Sequence, residues 1–268
     1  MIEKKKIISS AELFVLDMDG TTYLSDTVIP GALEFFNEAR AAGRKLLFFT
    51  NNTSRNPEDY IQKLSGMGFD VTRKDIVTAG DVTISFLHEF HPGQSVYLVG
   101  NAALRRSLIT GGIKLFEPEE GKRPEVVLVG FDTELTYEKL ERACIYIREG
   151  ACFITTHPDI NCPTSHGFVP DAGAICAAIT ASTGVRPGYL GKPQHETVEM
   201  ICRLTGVSAD KILFVGDRLY TDIAVGVNNG AMGALVLTGE ATEADIEKSD
   251  VKPDAVFASL DEMRKYLI

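Results

Sequence analysis

A short apolar run that ends in two carboxylates constrains this chain more strongly than any other feature of its sequence. The run Leu13-Phe14-Val15-Leu16 is followed at once by Asp17-Met18-Asp19-Gly20-Thr21. Four apolar residues bounded by turn residues are typical of a strand that is covered on both faces of a sheet. In open α/β sheets, ligands bind beyond the carboxyl ends of the strands, which is where Asp17 first meets solvent. The two acids therefore indicate a metal site, a nucleophile with its proton donor, or both.

Strand-like and helix-like segments alternate towards both ends of the chain. We predict strands at 13–16, 45–49, 76–79, 211–215 and 234–237, and helices at 30–42, 57–67 and 221–228. This alternation is typical of the α/β class, and it predicts a doubly wound parallel sheet.

The middle of the chain carries strand and helix patterns of its own. Between about Gly80 and Pro187 we predict strands at 96–99, 126–130 and 152–155, and helices at 137–148 and 172–181. A segment of this length can bury its own core. We therefore expect a discontinuous core domain, residues 1–80 and 187–268, with a second α/β domain, residues 81–186, inserted into it.

The charge and apolar patterns exclude several classes of protein. The 268 residues include 27 Lys and Arg against 37 Asp and Glu, a formal net charge of -10, which argues against a broad basic surface for nucleic acid. No apolar run is long enough to span a bilayer, and the first residues lack the pattern of a signal peptide. The absence of such a run predicts that the protein has no membrane partner. The five cysteines form no Cys-x-x-Cys pair, which predicts reduced thiols in a cytoplasmic protein.

Four polar clusters follow the strands predicted for the core domain or lie in loops beside them. They are Asp17-Met18-Asp19-Gly20-Thr21, Thr50-Asn51-Asn52, Gly191-Lys192-Pro193, and Gly216-Asp217-Arg218 with Thr221-Asp222 behind it. Because parallel strands all point the same way, these clusters can converge at one end of the sheet. Together they supply carboxylates, an ammonium, a hydroxyl and amides, which are the groups needed to hold Mg²⁺ beside a phosphate.

The acids of the clusters divide into metal ligands and reactive groups. We predict that Asp17 and Asp217 bind Mg²⁺ directly, since Mg²⁺ takes one or two carboxylates together with a substrate phosphate. A carboxylate beside the metal can also attack phosphorus, which would make Asp17 a nucleophile and give an aspartyl-phosphate. Asp19, two residues on, is placed to protonate the leaving alcohol and later to activate water.

The other polar groups of the clusters suit the phosphate. Lys192 would offset the charge that builds on the phosphoryl oxygens. The hydroxyl of Thr50 and the backbone amide of Asn51 would bind the same oxygens, although the segment Thr50-Asn51-Asn52 could instead cap the element that follows. Gly20 would let the backbone turn sharply and approach closely. Asp222 could interact with the first turn of a helix, which is compatible with a supporting role.

In this order, the four clusters resemble the motifs of the haloacid dehalogenase (HAD) superfamily of aspartate-nucleophile phosphatases. The inserted segment narrows the resemblance to the NagD-like, or 4-nitrophenylphosphatase-type, branch, in which a type IIA α/β cap is inserted between the second and third motifs. Thr156-His157-Pro158-Asp159 and the pattern Gly167-x-x-Pro170-x-Ala172-Gly173 are similar to the cap of that branch. The branch usually has Asn where this chain has His157, and the position of Tyr220 is often polar or acidic.

The resemblance implies a Rossmann-like core, a cap that selects the substrate, and a role for each motif residue. It implies that Asp17 is the nucleophile, that Asp19 is the acid/base and lends its backbone carbonyl to the metal, that Asp217 completes the metal site, and that Lys192 orients nucleophile and phosphate. The supporting positions are Asp222, Gly20 and Gly216.

The cap segment adds four titratable residues, which are His157, Asp159, His166 and Asp171. They could form a second metal site, or they could belong to a loop rich in turn residues. We favour the loop and expect it to face the active site, with His157 and Asp159 in contact with the substrate.

These expectations describe a Mg²⁺-dependent phosphatase of small phosphate monoesters such as nucleotide monophosphates, sugar phosphates or p-nitrophenyl phosphate. The bulk of the cap favours small soluble substrates over phosphoproteins.

Two alternatives use similar groups: a phosphomutase or phosphotransferase on the same scaffold, and a receiver-like signalling domain. The chain is longer than a receiver domain needs, and Asp19 has no role there. Relatives in the branch often self-associate, so the resemblance implies a homo-oligomer such as a dimer.

Overall fold

The chain folds into two compact units, each assembled from separate stretches of sequence. The computed structural model describes residues 2–164 and 167–267. The first unit, here the core unit, comprises Met1–Thr50, Glu58–Val77 and Lys192–Ile268. The second, here the inserted unit, comprises Asn51–Pro57 and Thr78–Gly191.

The strands are short, and most consist of apolar or β-branched residues. In chain order, the strands of the described residues are β1 (Leu13–Asp17), β2 (Tyr23–Leu24), β3 (Thr27–Val28), β4 (Lys45–Thr50), β5 (Ile76–Thr78), β6 (Val96–Val99), β7 (Val126–Val129), β8 (Cys152–Thr155), β9 (Asn161–Thr164), β10 (Gly167–Pro170), β11 (Gly188–Tyr189), β12 (Ile212–Gly216), β13 (Met232–Val236) and β14 (Ala255–Phe257).

The helices lie between these strands. In chain order they are α1 (Ile2–Ser10), α2 (Ala32–Ala41), α3 (Pro57–Gly66), α4 (Ala79–Phe90), α5 (Ala102–Thr110), α6 (Tyr137–Arg148), α7 (Ala172–Thr183), α8 (His195–Thr205), α9 (Ala224–Val227), α10 (Glu243–Lys248) and α11 (Leu260–Arg264). A π-helical turn, Leu219–Ile223, leads into α9.

The core unit is built on a six-stranded sheet in the order β14-β13-β12-β1-β4-β5. Strand β1 pairs in parallel with β12 on one side and with β4 on the other, so that Leu13 lies opposite both Ile212 and Lys45. The chain winds outward from β1 in both directions, which places a topological switch point between β1 and β12. This sheet confirms the predicted doubly wound α/β class, and it brings the ends of β1 and β12 together.

Aromatic packing holds these strands in place. Helix α2 buries residues at the spacing of one helical face, including Phe35 and Phe36. Phe35 packs edge-on against Phe14 of β1, and Phe36 stacks on Phe48 of β4. Each fully buried phenyl ring contributes roughly 1.5–3 kcal/mol to stability. The strand ends that carry polar residues are therefore fixed from beneath by a rigid core.

The inserted unit has its own sheet, in the order β11-β8-β7-β6, with parallel pairing throughout. Apolar clusters cover both faces of the sheet, one packed around Val127 and Phe153 and the other around Leu104 and Leu128. An antiparallel hairpin of β9 and β10 follows β8. The strands predicted at 96–99 and 152–155 and the helix predicted at 137–148 are confirmed.

One predicted helix has a different form. In place of a helix over 221–228, the chain makes the π-helical turn and then the short helix α9. The carbonyl oxygen of Arg218 accepts from the amides of both Asp222 and Ile223, at 3.0 and 3.2 Å, which widens the turn. Single π turns are frequent at functional sites, and this one carries Asp222.

The helices of the described residues are short, and the cysteines are spread over the inserted unit and helix α8. Every helix in the described ranges is too short or too polar to cross a bilayer. The five cysteines are free thiols, and burial raises the pKa of Cys176 to about 12, which keeps that thiol protonated and inert.

Helix α7 begins against a loop so closely that its second residue has no room for a side chain. A Cβ built on Gly173 would lie 2.2 Å from the carbonyl oxygen of Pro158. Alanine normally stabilises a helix interior by about 0.5–1 kcal/mol relative to glycine. We expect Gly173→Ala to have the opposite sign and to lower the free energy of unfolding by about 2 kcal/mol or more, measured by urea denaturation.

Gly66 provides the matched control, because a Cβ at that helical glycine meets nothing within 4 Å. We expect Gly66→Ala to leave stability unchanged or raise it by up to about 1 kcal/mol. A Gly173→Ala variant as stable as Gly66→Ala would contradict the packing of this loop on α7.

Candidate active site

Three carboxylates meet at the switch point of the core sheet. Asp17 is the last residue of β1, and Asp217 directly follows β12, its neighbour in the sheet. The π-helical turn adds Asp222. One carboxylate oxygen from each of the three lies within 4.8 Å of the others, so the structure brings together the residues that the sequence placed in separate clusters.

A buried ammonium lies against two of these carboxylates. Nζ of Lys192 donates to Oδ1 of Asp17 at 2.6 Å and to Oδ1 of Asp222 at 2.5 Å. Burial lowers the pKa of Lys192, but attraction to Asp17 and Asp222 outweighs this effect and leaves the pKa raised. Lys192 is therefore a fixed positive charge that holds one oxygen of Asp17 in place.

The acids carry more negative charge than the protein neutralises. Burial, with repulsion from Asp222 added to it, raises the pKa of Asp17 to about 8 despite the opposing effect of Lys192. The pKa of Asp217 is raised to about 6 by burial and then by Asp222, against the hydrogen bond from the backbone amide of Glu240. A bound divalent cation would relieve this repulsion, and clustered carboxylate oxygens are the donors that hard cations take.

Asp222 is committed to other partners. Besides Lys192, it accepts from the backbone amide of Arg218 through Oδ2 at 3.1 Å. These two bonds suit a residue that holds Lys192, and the supporting role stays a prediction. The direct ligation of a metal by Asp17 and Asp217 likewise stays a prediction.

Glycines beside the acids allow this crowding. A Cβ on Gly216 would lie 2.1 Å from Cβ of Asp222, and a Cβ on Gly20 would lie 2.4 Å from Oδ2 of Asp217. Gly20 also has a φ of 91°, in the left-handed region that favours glycine. Any side chain at either position would displace an acid of the cluster, which explains physically why the motifs have glycine there.

Asp19 lies outside the three-carboxylate cluster and is exposed. Its backbone bridges to Tyr23 at the start of the small hairpin formed by β2 and β3. Partial desolvation raises the pKa of Asp19, and Lys63 opposes the rise without cancelling it. A raised pKa at a solvent-accessible carboxyl is the direction that a proton donor needs.

The segment Thr50-Asn51-Asn52 is divided between the two units. Thr50 ends β4 of the core unit and is buried. Asn51 belongs to the inserted unit, where its Nδ2 donates to both carboxylate oxygens of Asp159, at 3.2 and 3.4 Å. Oδ1 of Asn52 accepts from the amide and hydroxyl of Ser54 within a local turn. The predicted binding of phosphate by these residues stays a prediction.

The predicted specificity loop places a buried histidine between two acids. His157 is 0% exposed, and its Nδ1 and Nε2 lie 3.5 Å from Oδ2 of Asp159 and from Oδ1 of Asp171. These three side chains could each offer one ligand atom to a cation. A second metal site, the first of the two interpretations of this segment, requires such a cluster. The predicted contact of His157 with substrate stays a prediction, and full burial of the ring gives it no support. His166 lies outside the described residues.

Sequence reasoning overlooked the loop after β13. The amide of Glu240 donates to Oδ2 of Asp217 at 2.7 Å, and the hydroxyl of Thr238 donates to the carbonyl of Gly20 at 2.7 Å. A carboxylate oxygen of Glu240 also pairs with Nε of Arg218 at 3.1 Å. The signal was available, because this polar loop follows a predicted strand in the same way as the recognised clusters.

Comparison with known proteins agrees with this geometry. Residues 14–114 match the sequence profile described as haloacid dehalogenase-like hydrolase, and residues 189–263 match a second profile described as HAD-hydrolase-like. The two matched ranges contain Asp17, Lys192 and Asp217. The chain belongs to the haloacid dehalogenase-like hydrolase family. The predicted resemblance to the HAD superfamily is thereby confirmed.

Individual HAD relatives are similar over almost the whole chain. An acid sugar phosphatase of Staphylococcus aureus strain MRSA252 is 34% identical over 249 residues, which cover 93% of this chain and 95% of that protein. A 4-nitrophenylphosphatase from Thermotoga maritima, known from its crystal structure, is 43% identical in sequence. The two structures match with a TM-score of 0.92 over 98% of this chain and 99% of that chain. NagD from Escherichia coli K-12 is 29% identical, with a TM-score of 0.86 and coverage of 94% and 98%. The NagD-like and 4-nitrophenylphosphatase-type resemblance is confirmed.

The crowding of negative charge predicts that this HAD site costs stability when no metal is bound. Asp217→Asn removes one of the three carboxylates, and we expect it to raise the free energy of unfolding by about 1–3 kcal/mol at pH 8 in EDTA. The raised pKa of Asp217, about 6 against the usual 3.8, means that the penalty is present above pH 6 and absent below both values. The gain should therefore shrink towards pH 4, which urea unfolding at the two pH values measures.

Lys192→Met is the control of opposite sign. Removal of the ammonium leaves Asp17 and Asp222 facing each other, so this variant should be less stable than the wild type at pH 8. An Asp217→Asn protein that is less stable than the wild type in EDTA at pH 8 would contradict the electrostatic account of the cluster.

Proposed function

We propose that this HAD-family phosphatase hydrolyses small phosphate monoesters in a Mg²⁺-dependent reaction that passes through an aspartyl-phosphate on Asp17. The observation that carries the proposal is the pair of contacts from Lys192 to Asp17 and Asp222, beside Asp217 at the switch point of the sheet. They leave a half-buried carboxylate oriented by an ammonium in the place where an α/β sheet binds its ligand. The names of the relatives, acid sugar phosphatase and 4-nitrophenylphosphatase, support a phosphate ester as substrate.

Asp17, Asp217 and the backbone carbonyl of Asp19 would hold the metal. Oxygen donors in this number suit Mg²⁺, which completes its shell with water and substrate phosphate. When bound, Mg²⁺ supplies positive charge that neutralises the phosphoryl oxygens and the carboxylates around them. Lys192 supplies a second positive charge from the protein itself.

The first half-reaction transfers the phosphoryl group to the protein. A carboxylate oxygen of Asp17 attacks phosphorus in line with the ester oxygen, a P–O bond to Asp17 forms, and the P–O bond to the leaving group breaks. Asp19 gives its proton to the departing oxygen, so the product leaves as a neutral alcohol. Lys192 holds Asp17 in the orientation needed for attack.

The second half-reaction releases phosphate. Asp19, now ionised, takes a proton from a water molecule as that water attacks phosphorus. The P–O bond to Asp17 breaks, and the carboxylate of Asp17 is regenerated together with inorganic phosphate. One water is consumed, and the proton that Asp19 lost in the first step is restored.

The remaining predicted residues would bind and select the substrate. Thr50 and the adjoining Asn51 and Asn52 would bind the phosphoryl oxygens, and the inserted unit would serve as the cap that selects the leaving group. The domain division predicted at 80/81 and 186/187 is part of this proposal. Small soluble monoesters such as sugar phosphates, nucleotide monophosphates and p-nitrophenyl phosphate fit such a cap. The free thiols support the proposed cytoplasmic location, and the resemblance supports self-association as a dimer.

Asp17→Asn and Asp19→Asn test the two chemical roles. We expect Asp17→Asn to lower kcat on p-nitrophenyl phosphate by at least about 10³-fold, because the amide is a poor nucleophile. Asp19→Asn should form the aspartyl-phosphate from this activated ester yet hydrolyse it slowly, since p-nitrophenolate needs little proton assistance. Rapid acid quench and detection of the phosphorylated protein measure both. Full activity of Asp17→Asn would sink the mechanism.

Metal removal tests the charge balance. EDTA should stop phosphate release, and added Mg²⁺ should restore it, whereas Ca²⁺ should bind and restore little because its longer bonds relax the geometry. The same assay separates the alternatives. Release of the alcohol without stoichiometric phosphate, in the presence of a sugar acceptor, would indicate a phosphotransferase instead of a phosphatase. A phosphorylated form that persists for minutes would indicate a receiver-like role.

A further inference from the structure

His157 has no task in the reaction as described, yet it is one of the most completely buried polar residues of the inserted unit. We propose that His157 is a positioning residue, which fixes the phosphate-binding residue Asn51 by holding Asp159. The inference rests on the proposed function insofar as Asn51 binds phosphate. It differs from a substrate contact, because a ring with 0% exposure meets no leaving group.

A continuous series of contacts within the inserted unit connects His157 with Asn51. Nδ1 of His157 lies 3.5 Å from Oδ2 of Asp159, and the carboxylate of Asp159 accepts from Nδ2 of Asn51 at 3.2 and 3.4 Å. The other ring nitrogen faces Oδ1 of Asp171 at 3.5 Å. At this distance the ring acts through packing and polar contact more than through short hydrogen bonds.

Asp159 is held at its backbone as well as at its side chain. Its carbonyl oxygen accepts from the amide of Gly173 at 2.8 Å, and the next carbonyl, of Ile160, accepts from the amide of Asp171 at 2.9 Å. Asp171 in turn caps α7 through the amide of Ala172 at 2.6 Å. The loop is thus anchored on the first turn of a twelve-residue helix. The side chain of Asp159 lies between Nδ2 of Asn51 and Nδ1 of His157, so the ring flanks the carboxylate that Asn51 contacts.

The same histidine separates two buried acids. Asp159 and Asp171 both face the imidazole ring, with side chains 10% and 4% exposed. Removal of the ring would leave two carboxylates across a small cavity, and their repulsion would turn Asp159 away from Asn51. A side chain that can donate a hydrogen bond, such as Asn or Gln, would restore part of the contact with Asp159.

The His157 loop also packs against Gly191, the residue that precedes Lys192 in the chain. A Cβ on Gly191 would lie 2.7 Å from the carbonyl of Thr156, 2.9 Å from Oδ1 of Asn51 and 3.2 Å from Cβ of His157. Gly191 directly precedes Lys192, and Asn51 directly follows Thr50. The His157 loop therefore packs on two of the residues at which the chain passes between the units, each adjoining a residue proposed to act on the phosphate.

A kinetic cycle tests the proposal. We would measure kcat and KM for the wild type, His157→Ala, Asp159→Asn and the double variant on p-nitrophenyl phosphate, a sugar phosphate and a nucleoside monophosphate. Because Asn51 acts on the phosphoryl group that all three share, His157→Ala should lower kcat/KM by about 10–100-fold on each, mainly through kcat. The double variant should be within about threefold of the worse single variant, because both changes break one series of contacts.

Several outcomes would overturn the proposal. A loss that differs by more than about tenfold between substrates would indicate a direct leaving-group contact, and multiplicative losses in the double variant would show independent roles. Stoichiometric binding of a second divalent ion by the wild type, lost in His157→Ala, would identify the three side chains as a metal site. His157→Asn should recover at least a third of the wild-type kcat/KM that His157→Ala loses. His157→Leu, which only fills space, should recover less than that.

A second measurement does not depend on catalysis. In nitrogen-15 spectra, the side-chain amide protons of Asn51, assigned with Asn51→Asp, should exchange slowly in the wild type and at least about tenfold faster in His157→Ala. Unchanged exchange in a folded His157→Ala protein would reject the proposal even if the phosphatase assignment holds. Conversely, faster exchange in a protein without phosphatase activity would support the contact and reject only the proposed function. His195→Ala is the matched control, since His195 is an exposed histidine that also lies beside a carboxylate, Glu196 at 3.2 Å.

Discussion

The buried ion pair network of Lys192 with Asp17 and Asp222 is the interaction on which the rest of the site depends. It joins the end of the first core strand to the π-helical turn, across residues that are far apart in sequence. A lone buried ammonium or a lone pair of carboxylates would be too costly to keep charged. Each group is tolerated because the other is present, and the glycines at 20 and 216 give the acids space to gather. The remaining excess of negative charge is what makes the cluster suitable for a cation.

Two kinds of order support this chemistry. Beneath the strands, phenyl rings pack tightly and are indifferent to pH or metal. Above the strands, the polar loops hold one another by single hydrogen bonds, such as those from Glu240 and Thr238. The first kind stabilises the fold through buried apolar area, and the second kind fixes the positions of the loops that carry the acids. A protein that combines the two can place repelling charges side by side without losing its fold.

The sequence predicted the parts of the molecule in which local chemistry and topology agree. A buried strand that ends in acids, as at Leu13–Asp17, can be recognised alone, and the direction of parallel strands then predicts which clusters meet. The predictions failed for elements whose structure depends on residues distant in sequence. Both strands of the β9–β10 hairpin contain a proline, which is unfavourable in a strand interior, and the widened turn at Arg218 resembles an ordinary helix start in sequence. The burial of His157 could not be predicted, because Asp159 and Asp171 enclose it only after the loop folds on α7.

The pairing of β1 with β12 has a consequence for the synthesis of the chain. Leu13 through Leu16 find their partners at residues 212–215, roughly 200 positions later, which a ribosome reaches in about 10–40 s. During that interval one edge of this apolar strand has no partner, while the residues of the inserted unit have already emerged and can fold. The nascent protein therefore begins as an unfinished half-sheet attached to a complete neighbour. Its vulnerability to aggregation and its demand for chaperones should be concentrated in that interval.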